Sequence, residues 1–105
     1  MLVDIKDIRA RLITEFPETR LVRIKYTPHY KLLCGNVDVY KDYLKIANQP
    51  DHSFKKYLSL INKFETIKAI PIQCYRHEGE IVIRDGLHRA CILLKMGYKQ
   101  IEIEL

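Results

Sequence analysis

The hydrophobic period of the chain changes in its last third, and this change limits the folds that the chain can adopt. There, short apolar runs with strand-like alternation replace the spacing of three and four residues that marks an amphipathic helix. Ile70–Tyr75 and Ile81–Arg84 are predicted as strands, and His77–Glu80 between them as a tight turn, which together give a β-hairpin. Leu87–Met96 is predicted as a short helix ended by a glycine, and Ile101–Leu105 as a last, half-buried strand.

Helical spacing prevails upstream of this hairpin. Apolar residues at intervals of three and four predict a helix over Val3–Phe16, ended by Pro17. Leu21–Tyr26 alternates partly and is predicted as a strand. Two more helices are predicted, one over Val37–Ala47 and one from about Ser53 onward.

Composition and charge restrict the class of protein to which this chain can belong. The 105 residues are 48% hydrophobic and 30% charged, which suits one globular domain with one core. We therefore predict a single α+β domain over residues 1–105, with a small mixed sheet flanked by helices. The net charge of +5 favours anionic partners such as nucleotides, nucleic acids or phosphorylated metabolites without choosing among them. The chain has no long apolar run and acidic residues near its start, so we expect a cytoplasmic protein without a membrane partner.

The isolated cysteines and histidines indicate packing or surface positions, not a metal site. Cys34, Cys74 and Cys91 are far apart, which predicts reduced thiols, and the first two have apolar neighbours and are expected to pack. His29 and His77 are expected at the surface. None of these residues has a partner at metal-ligand spacing, so no protein-bound metal is predicted.

The two middle helices supply candidate core residues. Tyr40 is expected in the core, whereas Tyr43 lies off the apolar stripe and is expected to be exposed. The stripe of the second helix is predicted to contain Phe54, Tyr57, Leu58 and Ile61.

The start of that second helix is a candidate anion site. His52, Ser53, Lys55 and Lys56 combine a helix N-terminus with cationic side chains, which suits a γ-phosphate or an anionic substrate. The alternative, which we favour at this point, is a helix capped by Asp51 or Ser53 with a solvated basic face.

The chemically informative segment is Ile81–Ala90, where a strand passes through Asp-Gly directly into a helix. Unpaired N–H groups in the first turn and the helix dipole favour an anion there. Gly86 permits close backbone approach, and His88 and Arg89 add donors in the same turn. A cation in the first turn of a helix interacts unfavourably with the helix dipole and lowers stability by about 0.3–1 kcal/mol. A bound anion reverses this cost. The alternative is an Asp85-Gly86 turn with His88 and Arg89 pointing into solvent.

The segment Asp85-Gly86-Leu87-His88-Arg89, set between a strand and a helix, resembles the signature of the ParB/sulfiredoxin superfamily. The resemblance covers about residues 53–105 well and the rest only in outline. It implies a ParB/sulfiredoxin-like fold in which the motif holds nucleotide phosphates through Gly86, Leu87, His88 and Arg89.

This chain departs from the superfamily pattern at several positions, and these departures limit the activities that the resemblance implies. Sulfiredoxins have their catalytic cysteine where this chain has Leu87, and Cys91 lies one turn further along, which argues against sulfiredoxin activity. Chromosome-partitioning proteins have a Glu-Arg-Arg type of box and a following DNA-binding helical domain, and neither is expected here. The Asp-Gly-x-His-Arg form is most similar to that of free-serine kinases, although the separate glutamate base of those longer proteins has no evident counterpart here.

The resemblance therefore implies a nucleotide-binding domain that uses ATP or another NTP with Mg²⁺. The expected reaction is phosphoryl transfer to a small hydroxylated acceptor, or hydrolysis of the nucleotide, with Asp85 and His88 as catalytic candidates. Asp85 would serve as base or Mg²⁺ contact; alternatively it is a turn residue or helix cap. The rival interpretation is a non-catalytic ParB-like module that binds nucleotide or DNA, or a ParB-type nuclease. DNA has little sequence support because the lysines are interleaved with acids, and a protein partner that completes the site is compatible with so short a chain.

Overall fold

A mixed sheet organises the chain in this computed structural model, which describes residues 1–15, 18–48 and 52–105. The strands are β1 (Leu2–Asp4), β2 (Ile8–Glu15), β3 (Glu18–Arg23), β4 (Ile72–His77), β5 (Glu80–Asp85) and β6 (Gln100–Glu104). The helices are α1 (Pro28–Leu33), α2 (Val37–Ile46), α3 (His52–Ile61), α4 (Phe64–Ile67) and α5 (Leu87–Lys95), with 3-10 turns over Ile5–Asp7 and Ile24–Tyr26. The predicted α+β class is confirmed.

Within the described residues, the strands form one six-stranded sheet in the order β1-β6-β4-β5-β2-β3. The β2–β5 and β4–β6 pairs are parallel, and the other neighbouring pairs are antiparallel. β6, although late in the chain, therefore lies between β1 and β4.

The core lies between one face of this sheet and the helices. Alternate residues of β2, β4 and β6 are buried together with one side of α1, α2, α3 and α5. The largest buried members of this cluster are Ile8, Ile24, Tyr40, Tyr57, Ile72 and Ile103. No helix among the described residues is long and apolar enough to cross a membrane.

The C-terminal third follows the prediction closely. β4 and β5 form the expected hairpin, and Glu78 and Gly79 at its turn both have positive φ, as a tight hairpin turn requires. β5 leads through Gly86 into α5, which ends near Gly97 at φ 99°, and β6 follows. The predicted helices over α2 and α3 are also confirmed.

The helix predicted over Val3–Phe16 is wrong. The structure has β1, a 3-10 turn and β2 there, while Phe16 and Pro17 lie outside the described residues. In β2, Ile8, Ala10 and Leu12 are buried in strict alternation with two arginines, so the true period is two. This strand is stabilised by pairing with β3 and β5 rather than by local spacing.

Several burial predictions also need correction. His29 is only 6% exposed, because α2 and α5 pack against the start of α1. Tyr43 is half-buried against the His29 ring, whereas Cys34 is exposed after the end of α1. On α3, Leu58 and Ile61 are exposed and not part of the buried stripe.

Candidate anion-binding site

In the part of the chain that the structure describes, no side chain caps the first turn of α5. Gly86 occupies the N-cap position with φ 113°, in the left-handed region that favours glycine, and contributes no capping side chain. The Gly86 carbonyl accepts the first helical hydrogen bond, from the N–H of Ala90 at 2.9 Å. The backbone N–H groups of Leu87, His88 and Arg89 therefore precede the helical hydrogen-bond ladder, where an anion can accept from them.

Arg89 lies across this turn instead of pointing into solvent. Its Nη1 donates to the carbonyl oxygens of Ile70 at 3.2 Å and Pro71 at 3.4 Å, and its Nη2 lies 3.8 Å from Asp85 Oδ2. The side chain is only 13% exposed. A Cβ atom on Gly86 would lie 2.8 Å from Arg89 Nη2, so the glycine leaves the space that the guanidinium occupies.

His88 is held in an aromatic cluster behind the turn. Its Nε2 is 3.2 Å from the Tyr40 hydroxyl, and its ring centroid is 4.4 Å from that of Tyr57. Burial, with a smaller contribution from Lys56, lowers the pKa of His88 to about 4, against an opposing effect of Asp85. Near pH 7 the imidazole is therefore neutral and acts as a hydrogen-bonding group, not as a cation.

His29 belongs to the same cluster, with its ring centroid 5.0 Å from that of His88. Burial, followed by the neighbouring His88, lowers the pKa of His29 to about 3. Its carbonyl accepts a hydrogen bond from the Tyr57 hydroxyl at 2.8 Å, while its Nδ1 is buried and has no hydrogen-bond partner among the described residues. The two histidines thus form a neutral, packed wall behind the start of α5.

A pocket of about 270 Å³ opens in front of this wall. It is lined by Lys56, Tyr57, Leu60, Asp85, Gly86, His88 and Arg89. Lys56 comes from α3 and Arg89 from α5, so cations from both predicted anion sites line one pocket. Lys55 is exposed and is not a lining residue; Asp51 and the side chains of His52 and Ser53 lie outside the described part of the structure.

Asp85 and Leu87 occupy different environments on either side of Gly86. The Asp85 side chain is 76% exposed and does not cap α5, so its carboxylate remains available to a ligand. Leu87 packs against the core, which leaves its backbone N–H as its contribution to the turn. The residues described contain no group of three or more His, Cys, Asp or Glu side chains placed to hold a metal ion.

Sequence reasoning assigned Tyr40 and Tyr57 to the core and did not include them in the site. Both are buried, yet Tyr57 lines the pocket and the Tyr40 hydroxyl is the partner of His88. No local pattern indicated this, because Tyr57 reaches the pocket through the packing of α3 against α5, which is a tertiary contact. Comparison of the chain with protein-family models, with curated proteins and with solved structures gave no match.

Proposed function

We propose that this domain binds a nucleoside triphosphate, with its phosphate groups at the start of α5. The observation that carries the proposal is the convergence of the uncapped first turn, Arg89 and Lys56 on one pocket. Each of these groups favours an anion, and together they can share the charge of several phosphate oxygens. The resemblance of Asp85–Arg89 to the ParB/sulfiredoxin signature supports the same ligand.

The residues have separate roles in this proposal. Arg89 offers a planar guanidinium for bidentate contact with phosphate, already ordered by its backbone contacts. Lys56 supplies a point charge from α3, and the N–H groups of Leu87 and His88 donate from the backbone. The neutral His88 ring, hydrogen-bonded to Tyr40, supports the turn from behind.

Phosphoryl transfer is the proposed reaction. An acceptor hydroxyl or water forms a new O–P bond to the γ-phosphorus while the β–γ bridging P–O bond breaks, and the nucleoside diphosphate leaves. The exposed Asp85 carboxylate is the group placed to accept the proton of the attacking hydroxyl. Mg²⁺ is generally held by one or two carboxylates and by substrate phosphates, and Asp85 beside the phosphate site fits that pattern.

A second candidate is binding without turnover, in a nucleotide- or DNA-binding module. Among the described residues, Asp85 is the one carboxylate that lines the pocket, so it would have to serve as either base or Mg²⁺ contact. A metal-dependent nuclease would use the same carboxylate. Measurement of product release, in addition to binding, separates these possibilities.

The test is thermal unfolding with ATP, ADP, CTP and GTP, each with Mg²⁺, for the wild type and Arg89→Ala. Ligand at 100 times its Kd adds about 2.7 kcal/mol of stability, a shift of several degrees for a domain of this size. We expect the shift to disappear in Arg89→Ala and to persist in the matched control Arg76→Ala, which alters an exposed arginine outside the pocket. No shift with any nucleotide would overturn the proposal.

The chemical step is tested with Asp85→Asn. We expect this variant to retain the thermal shift and to lose release of the nucleoside diphosphate. Unchanged release would exclude Asp85 as the base. Binding without release in the wild type would favour the non-catalytic module, and metal-dependent nicking of DNA that Asp85→Asn abolishes would favour the nuclease.

A further inference from the structure

The face of β2, β4 and β5 that points away from the helices carries arginines around one tyrosine. In the strand register, Arg9 lies opposite Val82, and Val82 lies opposite Tyr75, so these side chains share a face. Arg11 and Arg84 lie two residues further along β2 and β5 on that same face. We call these five residues the arginine face.

The side chains of the arginine face contact one another. Arg11 Nε is 3.2 Å from the Tyr75 hydroxyl, and the Arg84 guanidinium lies 5.5 Å from the centre of the Tyr75 ring. Val82 is fully buried yet lies outside the main core cluster, so its cover comes from these neighbouring side chains. The surface therefore combines guanidinium and aromatic groups that are in contact.

The positive charge of this face is largely uncompensated. Arg9 has Glu80 near it, with 3.7 Å between Nε and Oε1. Among the described residues, no carboxylate lies within ion-pair distance of Arg11 or Arg84. A polyanion is consequently the ligand that this surface complements.

The arginine face also continues into the α5 site. A cavity of about 260 Å³ is lined by Arg11 and Arg84 and by the turn from Asp85 to His88. An anion bound at the start of α5 would thus have further cations along β5 and β2. The cations therefore extend beyond the α5 pocket, as the binding of a chain of phosphates would require.

We propose that the arginine face binds single-stranded nucleic acid. Guanidinium groups bind phosphates in a bidentate manner and stack on bases, and a half-exposed tyrosine provides a surface for stacking that tolerates any base. An acidic peptide would use the charge but not the stacking surface around Tyr75. The proposal goes beyond nucleotide binding and does not require turnover.

The experiment measures binding of the whole chain to fluorescent oligo-dT by anisotropy over a series of salt concentrations. The test variant is Arg9→Gln/Arg11→Gln/Arg84→Gln. Its matched control, Lys31→Gln/Lys45→Gln/Lys95→Gln, removes the same charge from exposed positions on α1, α2 and α5. We expect the test variant to bind more weakly and to reduce the slope of log K against log salt by about 2, since each phosphate contact contributes about 0.7.

Tyr75→Leu tests stacking separately from charge, and should weaken binding at least about fivefold with little change in the salt slope. If the triple variant does not fold, Arg84→Gln replaces it, with an expected change in slope of about 0.7. Equal losses in the test and control triples would overturn the proposal. So would equal competition by polyglutamate, or tighter binding of duplex than of single-stranded DNA. An ATP-dependent thermal shift that persists in the test triple separates this face from the nucleotide site.

Discussion

Helices α1 and α5 begin alike but satisfy their first turns differently. Each has a histidine at its second position, His29 or His88, and the two rings are in contact. Thr27 caps α1, because its Oγ1 accepts a hydrogen bond from the N–H of Tyr30 at 3.1 Å. Gly86 gives α5 no such group. The α1 start is thus closed by its own chain, while the α5 start is open to a ligand.

Helix α2 supports this interpretation of the difference. Asn36 caps it, with Oδ1 accepting from the N–H of Val39 at 3.3 Å. Two other helices of this chain, α1 and α2, therefore have a side-chain cap at the N-terminus. At α5 the glycine instead makes room for the Arg89 guanidinium, which places a cation where a cap would stand.

The largest expected effect is on stability, and it concerns the buried histidine at the second position of α1 and of α5. His29 and His88 have pKa values lowered to about 3 and 4, so the unfolded chain binds protons near pH 6.5 that the folded chain does not. Stability is then full above about pH 6.5 and falls as the pH drops towards 4, by about 1.4 kcal/mol per pH unit for each histidine. Urea denaturation between pH 7 and 4.5 measures this loss.

The matched variant for that experiment alters the other buried histidine. We expect His88→Asn and His29→Asn each to reduce the slope of stability against pH by about half. A stability that stays constant from pH 7 to 5 would show that neither buried imidazole is kept neutral by the fold.

The next effect concerns the backbone conformation and the space at the start of α5, with Gly35, which follows α1, as the comparison. Gly86→Ala places a Cβ at φ 113°, 2.8 Å from Arg89 Nη2 and 2.9 Å from Ile72 Cδ1, so we expect a destabilisation of about 3 kcal/mol. Gly35→Ala at φ 100° has nothing within 4 Å and should cost about 1–2 kcal/mol from strain alone. Equal losses in thermal unfolding would mean that the space above Gly86 is unimportant.

The smallest effect comes from the cap of α1. Thr27→Ala removes a fully buried hydroxyl and should cost about 1–2 kcal/mol, whereas Thr27→Ser keeps the capping oxygen and should recover most of that loss. Chemical denaturation measures both variants. The ATP-dependent thermal shift should survive in each, and its loss in Thr27→Ser would contradict the separation of the two helix starts.

The sequence predicted the elements whose patterns are local. The β4–β5 hairpin, the turn at Gly86 and helix α5 each have a short, characteristic pattern, and the structure contains them near the expected bounds. The helix prediction for the segment before residue 16 was wrong because Ile5, Ile8 and Leu12 happen to match helical spacing. The alternation that includes Ala10 gains its meaning only from pairing with β3 and β5. The pairing of β2 with β5, which are far apart in the chain, produces no pattern that can be recognised within the β2 segment.

The sequence predicted the parts of the candidate site as two separate sites. The Asp85–Arg89 segment was identified from its motif, and Lys56 was assigned to a separate site because the packing of α3 beside α5 is a tertiary feature. The burial of His29 was missed for the same reason, since residues from α2, α3 and α5 form its surroundings. Nucleotide binding itself remains a prediction.

The place of β6 in the sheet has a consequence for the order of folding. Because β6 lies between β1 and β4, a nascent chain without residues 100–104 leaves both of those strands with an unpaired edge. Residues 2–4 must wait for a partner almost a hundred positions away, and closing so long a loop is slow. During synthesis, β2 and β3 can pair before β4 and β5 emerge from the ribosome, while the sheet becomes complete only after β6 emerges. Until then the exposed edges of β1 and β4 are the places where two unfinished chains would pair with each other.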